Sequence, residues 1–198
     1  MPIPPELHTS RLYLRPWRAD DAQSLFPILE TNWEHLSPWI PARIATLAPV
    51  PQLAERLAGF GADFAADREW RYGMFTLDGN RTLGEISLFP RAATGRVPFA
   101  HADRAEIGYW LRKDDTGRGY VTEGVRAVLD AAASVARFTH VEIRCDARNA
   151  ASAAIPRRLG FVLAETIAES PATSNEPSVQ LQVWIFTTTS PRNTLSAV

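Results

Sequence analysis

One stretch, Arg104 to Phe161, limits the fold more than any other part of the chain. Ala105-Glu106-Ile107-Gly108-Tyr109-Trp110-Leu111-Arg112 reads as a strand, and Asp115 to Thr122 reads as a turn containing Gly117 and Gly119. After the turn, Val121, Val125, Val128, Ala132 and Val135 recur at spacings of four and three, one face of a helix, while Glu123, Arg126 and Asp130 take another face. His140 to Cys145 is a second strand. Asn149-Ala150-Ala151-Ser152 then opens a further helix that closes at Arg158-Leu159-Gly160-Phe161. Strand, turn, helix and strand in that order make a βαβ crossover, because parallel strands cannot be joined by a tight turn.

The turn has a chemical reading as well as a geometric one. The first N–H groups of the helix lack intrahelical partners, and the helix dipole adds partial positive charge there. A pyrophosphate fits such a place, with Arg112, Lys113 and Arg118 near enough in sequence to neutralise more charge. Taken alone, two spaced glycines read first as a strand-to-helix turn that uses glycine for its φ freedom.

The order of segments decides between these readings. Glu106-Ile107-Gly108-Tyr109-Trp110-Leu111, Gly117-Arg118-Gly119-Tyr120 with Thr122-Glu123, and Asn149 with Ser152 and Leu159-Gly160-Phe161 together resemble the GNAT acetyltransferase superfamily. The likeness is greatest to its ribosomal-protein N-terminal acetyltransferase (RimJ/RimL-like) branch. It extends to Thr9-Ser10-Arg11-Leu12-Tyr13-Leu14-Arg15-Pro16-Trp17 and Leu36-Ser37-Pro38-Trp39-Ile40-Pro41, and so covers nearly the whole chain. The resemblance implies an α/β (α+β) acyl-CoA N-acyltransferase fold. Its sheet is mixed and mostly antiparallel, with about seven strands, helices on both faces, and two central strands that splay to admit acetyl-CoA.

The remaining sequence is consistent with one such domain over residues 1–198, with 187–198 as a flexible tail. A net charge of −1 gives no general pull toward nucleic acid or membrane. No apolar run reaches bilayer length, Met1-Pro2-Ile3-Pro4-Pro5 lacks the pattern of a signal peptide, and one cysteine cannot form an internal disulfide. A cytoplasmic protein, monomer or homodimer, is expected. His8, His35, His101 and His140 show no metal-ligand spacing, so no metal is expected.

In chain order, Arg11 to Arg15 reads as the first strand, and Asp20 and Asp21 start a helix to about Leu29. Asn32 to Ala48 is irregular, and a second helix spans roughly Gln52 to Ala66. Arg71 to Leu77 and Thr82 to Phe89 flank Asp78-Gly79-Asn80 as a hairpin, followed by a long loop from Pro90 to Asp103. Two late strands, Val162 to Ile167 and Val179 to Phe186, enclose a polar loop from Glu169 to Ser178.

Acetyl transfer from a thioester to an amine needs a pyrophosphate grip, a groove for the pantetheine arm, a neutral amine, and a stabiliser for the leaving thiolate. The resemblance assigns the first to Gly117, Arg118, Gly119, Tyr120, Val121 and Thr122. Two departures from the family pattern, Thr116 and Val121, leave backbone donation intact, but the valine brings a side chain toward the phosphate. The backbone of Trp110, Leu111 and Arg112 would pair with the pantetheine arm while the side chains pack in the core. Asn149 would bond the same arm, although an asparagine there also suits a helix N-cap. Ser152 would donate to the leaving sulfur, because Pro156 stands where many relatives carry a tyrosine acid; by local sequence it is equally a first-turn serine bonding backbone. Glu106 and Glu85 are the candidate bases, each also readable as a salt-bridged strand carboxylate. Trp39, with Pro38 and Pro41, would wall the acceptor site or clamp two helices together. Cys145 reads as a small buried hydrophobe, with covalent catalysis the alternative.

The expected function is acetyl-CoA-dependent N-acetylation of a protein N-terminal amine by direct attack in a ternary complex. A small amine acceptor and a non-catalytic acyl-CoA-binding module are the alternatives.

Overall fold

A computed structural model describes residues 3–41, 44, 46–169 and 179–188. Nine strands make one sheet: β1 (Leu7–His8), β2 (Leu12–Pro16), β3 (Trp70–Thr76), β4 (Thr82–Ala92), β5 (Gly95–Arg96), β6 (Arg104–Leu111), β7 (His140–Asp146), β8 (Val162–Glu169) and β9 (Val179–Thr187). Their order is β1-β2-β3-β4-β6-β7-β9-β8, with β5 paired to β4. Seven are the strands the sequence foretells. The two additions, β1 and β5, have two residues each and are too short to show a period.

Helices cover both faces. α1 (Ala22–Thr31), the short α2 (Trp33–Leu36) and α3 (Val50–Ala65) follow β2, α4 (Tyr120–Ala133) crosses between β6 and β7, and α5 (Ala150–Arg158) follows β7. Leu12, Met74, Ile86 and Ile107 on one sheet face pack with Val125 and Val128 of α4 and with Ala153 and Ile155 of α5. Phe75 and Trp110 on the other face pack with Leu25 and Leu29 of α1 and with Leu53 and Leu57 of α3. The valine stripe of α4 is buried from Val121 to Val128, and Val135, expected on the same face, is buried just past the helix end. This apolar face sets the helix on the sheet and points its N-terminus at the end of β6.

Two expectations shift. The first helix begins later than Asp20, because the Asp21 carboxylate accepts from Arg15 Nη1 and Nη2, each at 2.7 Å, and from the Arg18 amide at 2.8 Å, holding a 3₁₀ turn before α1. The expected loop from Pro90 is partly strand. β4 runs on to Ala92, and the Pro90 carbonyl accepts from Val97 N at 3.2 Å, so the residue serves the ladder as an acceptor. The expected loop from Glu169 to Ser178 lies outside the described residues from 170 onward, as does the tail from 189.

All but one of the strand pairings are antiparallel; β6 and β7 run parallel through Ala105↔Val141, Glu106↔Glu142 and Ile107↔Ile143. There the pairing stops, although β6 continues to Leu111 and β7 to Asp146. The two strands therefore diverge at the centre of the sheet. On its other edge β6 stays paired to β4 over its whole length, from Arg91↔Arg104 to Gly84↔Leu111.

Candidate active site

Among the described residues, the divergence leaves the β7-facing backbone of Gly108 to Leu111 without a strand partner, the kind of edge to which an extended amide-bearing chain adds as a strand. Trp110 and Leu111 turn buried side chains into the two cores on either side of that backbone. Beyond the strand, Asp115 is fully buried and takes a bidentate grip from Arg81, at 3.0 and 2.7 Å. Arg112 and Arg118 lie 3.8 Å from the same carboxylate. This ion cluster pins the start of the turn and keeps two arginines beside it.

Gly117 and Gly119 both adopt left-handed φ, 75° and 80°. Gly119 is the N-cap of α4, so the amides of Tyr120, Val121 and Thr122 are its first three. Nothing lies within 4 Å of where a Gly117 side chain would begin, so the backbone there is open to a ligand. The Thr122 hydroxyl is buried with no partner among the described residues. The Val121 side chain is buried in the core beneath α4, which removes the expected crowding of a phosphate. These features fit the pyrophosphate of coenzyme A.

The turn has a support that local sequence does not reveal. Glu123 accepts from Thr9 Oγ1 at 2.5 Å, Ser10 Oγ at 3.0 Å, and Arg11 N and Nε at 3.0 and 2.7 Å. Arg11 then donates through Nη1 to the carbonyl of Arg118, 3.0 Å away and between the two glycines, and stacks over the Tyr120 ring. Burial pushes the Glu123 carboxyl up, but its hydrogen bonds outweigh this and hold it below the usual carboxylate range. The Thr9-Ser10-Arg11 segment thus braces the turn from more than a hundred residues away.

At the far end of the divergence, β6 and β7 present Tyr109 and Cys145, and the first turn of α5 presents Ser152. Asn149 Oδ1 accepts from Ser152 N at 2.9 Å, so the asparagine is the helix cap. Only its carbonyl is used in this, which leaves the amide –NH₂ to donate to a ligand; capping and cofactor contact are compatible. Burial pushes the Cys145 thiol up, opposed by contacts with Ser152 and Trp184, and a protonated thiol is a poor nucleophile.

The candidate bases face the other side of the sheet, and arginines already engage both. Glu85 accepts from Trp17 Nε1 at 2.8 Å, Arg71 Nη1 at 2.9 Å and Ser87 Oγ at 2.7 Å. Glu106 lies against Arg91 at 2.5 Å and Arg96 at 2.8 Å. Both carboxylates are thus already committed to arginine, which is the salt-bridged reading of each. Arg91 and Arg96 belong to the β4 extension and β5, which the sequence left as loop. Trp39 is 43 % exposed beyond α2, and it is not among the residues lining the narrow cavity beside Glu85 and Trp110.

Residues 11–162 match the model of the acetyltransferase (GNAT) domain. YdaF of Bacillus subtilis (strain 168), whose name describes a ribosomal N-acetyltransferase, is 36% identical over 146 residues, covering 72% of this chain and 73% of that one. YjcK of the same organism, whose name describes an N-acetyltransferase, is 27% identical over 150 residues, 76% of this chain and 80% of that one. Among solved structures, RimL, the ribosomal L7/L12 α-N-protein acetyltransferase in complex with coenzyme A, superposes with a TM-score of 0.76 at 19% identity, covering 93% of this chain and 97% of that one. The microcin C7 self-immunity acetyltransferase MccE, in complex with acetyl-CoA and AMP, gives 0.76 at 17%, covering 90% and 93%. A braced glycine turn at a helix N-terminus, beside a sheet opened between two parallel strands, is the arrangement expected of an acyl-CoA N-acyltransferase. The chain belongs to the GNAT acetyltransferase family and is an acetyl-CoA-dependent acetyltransferase.

Proposed function

We propose that the chain acetylates the α-amino group at the N-terminus of a protein. The observation that carries this reading is that Glu85 and Glu106 are both held by arginine. An α-amine has a reference pKa of about 7.7–8.0, against about 10.4 for a lysine side chain, so only the former is substantially neutral near pH 7 without a protein base. Water suffices to take its proton. The likeness to YdaF, whose name describes a ribosomal N-acetyltransferase, supports a ribosomal protein as the acceptor.

The residue roles follow from placement. The amides from Gly117 to Thr122 hold the pyrophosphate, with Arg118 adding charge. The free edge from Trp110 to Arg112 pairs with the pantetheine arm, and the Asn149 –NH₂ donates to it. Acetyl-CoA supplies an activated acyl group, which the amine attacks directly. Ser152 donates to the sulfur as negative charge gathers there. Thiol release should be measured with acetyl-CoA and four acceptors: a serine-initiated peptide from the N-terminus of ribosomal protein L7/L12, the same peptide with a blocked N-terminus and a free lysine, an amino sugar and an amino acid. Turnover is expected with the free N-terminus and not with the blocked peptide. Turnover confined to the small amines would establish the small-molecule reading. Tight coenzyme A binding with no turnover on any of the four would favour a binding module.

Ser152 and Asn149 should separate kinetically. The Ser152 contact strengthens only as the C–S bond breaks, so Ser152→Ala should lower kcat by about 10²-fold, the low end of acid-type assistance, and leave the KM for acetyl-CoA nearly unchanged. Asn149→Asp keeps a capping oxygen and loses the donor, so it should raise that KM more than it lowers kcat. Steady-state kinetics of the two variants provide the check, and an intact kcat in Ser152→Ala would reduce the serine to a helix-turn residue.

A further inference from the structure

Tyr109 has no role in the site described so far, yet its hydroxyl makes two bonds to one residue. It donates to the Ser152 carbonyl at 2.9 Å and accepts from Ser152 Oγ at 3.2 Å. The first bond has a cause in α5. In a regular helix the Ser152 carbonyl would accept from the amide of residue 156, but that residue is Pro156, inside the helix and without an N–H. Tyr109, from the diverging part of β6, supplies the missing donor from outside the helix. The proline that takes the place of a tyrosine acid thus also creates the vacancy that brings a different tyrosine to the serine.

We propose that Tyr109 is a positioning residue that sets the Ser152 hydroxyl toward the departing sulfur. The inference rests on the role given to Ser152 above. In the free protein the serine hydroxyl donates to the tyrosine. With acetyl-CoA in the gap, the tyrosine keeps its bond to the carbonyl, and the serine hydroxyl, pivoting about this fixed backbone, turns its O–H to the sulfur. During transfer the C–N bond forms, the C–S bond breaks and its electron pair leaves on sulfur. Ser152 and Tyr109 keep their own protons, and the proton shed by the amine goes to water and on to the thiolate. Burial pushes the Tyr109 hydroxyl well above the usual tyrosine range, which suits a group that donates a hydrogen bond and never ionises. At sequence separation 43 this pairing has no local signature.

The test is a double-mutant cycle with acetyl-CoA and the L7/L12 peptide, or hydroxylamine as a minimal amine in its place. Tyr109→Phe retains the ring and should lower kcat by about 10- to 100-fold with little change in the KM for acetyl-CoA. Tyr109→Phe with Ser152→Ala should be no slower than Ser152→Ala alone, because the two act as a unit. With the acetyl selenoester of coenzyme A, whose leaving group needs less help, both single variants should lose less, an effect that a loosened fold would not produce. An unimpaired Tyr109→Phe beside a slow Ser152→Ala would overturn the tyrosine role and leave the serine role intact. Additive losses would also overturn it. An unimpaired Ser152→Ala would remove the serine role and this inference with it.

Discussion

Gly119→Val is expected to abolish the rise in melting temperature that coenzyme A gives the protein. Gly119 has φ of 80°, in the left-handed region that a β-branched residue enters only at a cost, and it caps the helix whose first amides are proposed above to hold the phosphate. A side chain there would also begin 3.6 Å from Arg11 Nη2, the guanidinium that braces the turn. Relief of the strain rotates the amides and displaces that brace. A ligand that binds only the native state at a hundred times its Kd adds about 2.7 kcal/mol. For a chain of 150–250 residues this is a shift of roughly 5–11 °C. Thermal melts of wild type and variant, each with and without coenzyme A, separate the ligand shift from any lower baseline. An unchanged shift in the variant would mean that the phosphates bind elsewhere.

Gly84→Ala is expected to cost the protein a large part of its stability by forcing β4 away from β6. Gly84 lies opposite Leu111 where β4 pairs with β6, and a Cβ there would run into the backbone carbonyl of Trp110. Backbone cannot yield as a flexible side chain does, so the strands must part. Overpacking of this kind costs about 1–3 kcal/mol where side chains can shift, and a clash with a central strand should exceed that, on the order of 4 kcal/mol. The corresponding fall in melting temperature is roughly 8–16 °C. A melt within about 2 °C of wild type would show that β4 and β6 can separate freely here.

What the sequence made legible was local. The valines of α4, the glycines of the turn and Asn149 with Ser152 declared their elements, because helical period, φ freedom and capping act over a few residues. Strand register acts over the whole chain, and the residues it placed were not legible. Arg91 and Arg96 neutralise Glu106 only because β4 passes Pro90 and turns back through β5. Arg11 reaches the Arg118 carbonyl only because β2 lies near α4. Tyr109 stood in plain view between Gly108 and Trp110, but its partner depends on how α5 settles over the divergence. Pro156 was the available hint: a proline inside a helix leaves a carbonyl to be satisfied, and the question of which donor does so has a single answer here.

The three residue pairs between β6 and β7 have a consequence beyond catalysis. Among the described residues they are the whole ladder joining β1–β6 to β7–β9, with α4 lying across the seam. Without ligand, the strand ladder across that seam is shorter than those on either side of it, and the shared apolar core and the Glu142 ion pairs with Arg91 and Arg104 carry the rest of the join. An acyl donor lying along the unpaired edge would tie the halves where the protein's own ladder ends. Binding would then lengthen the join where the ladder is shortest, so that the donor fastens the seam it lies in and releases it when the thiol departs.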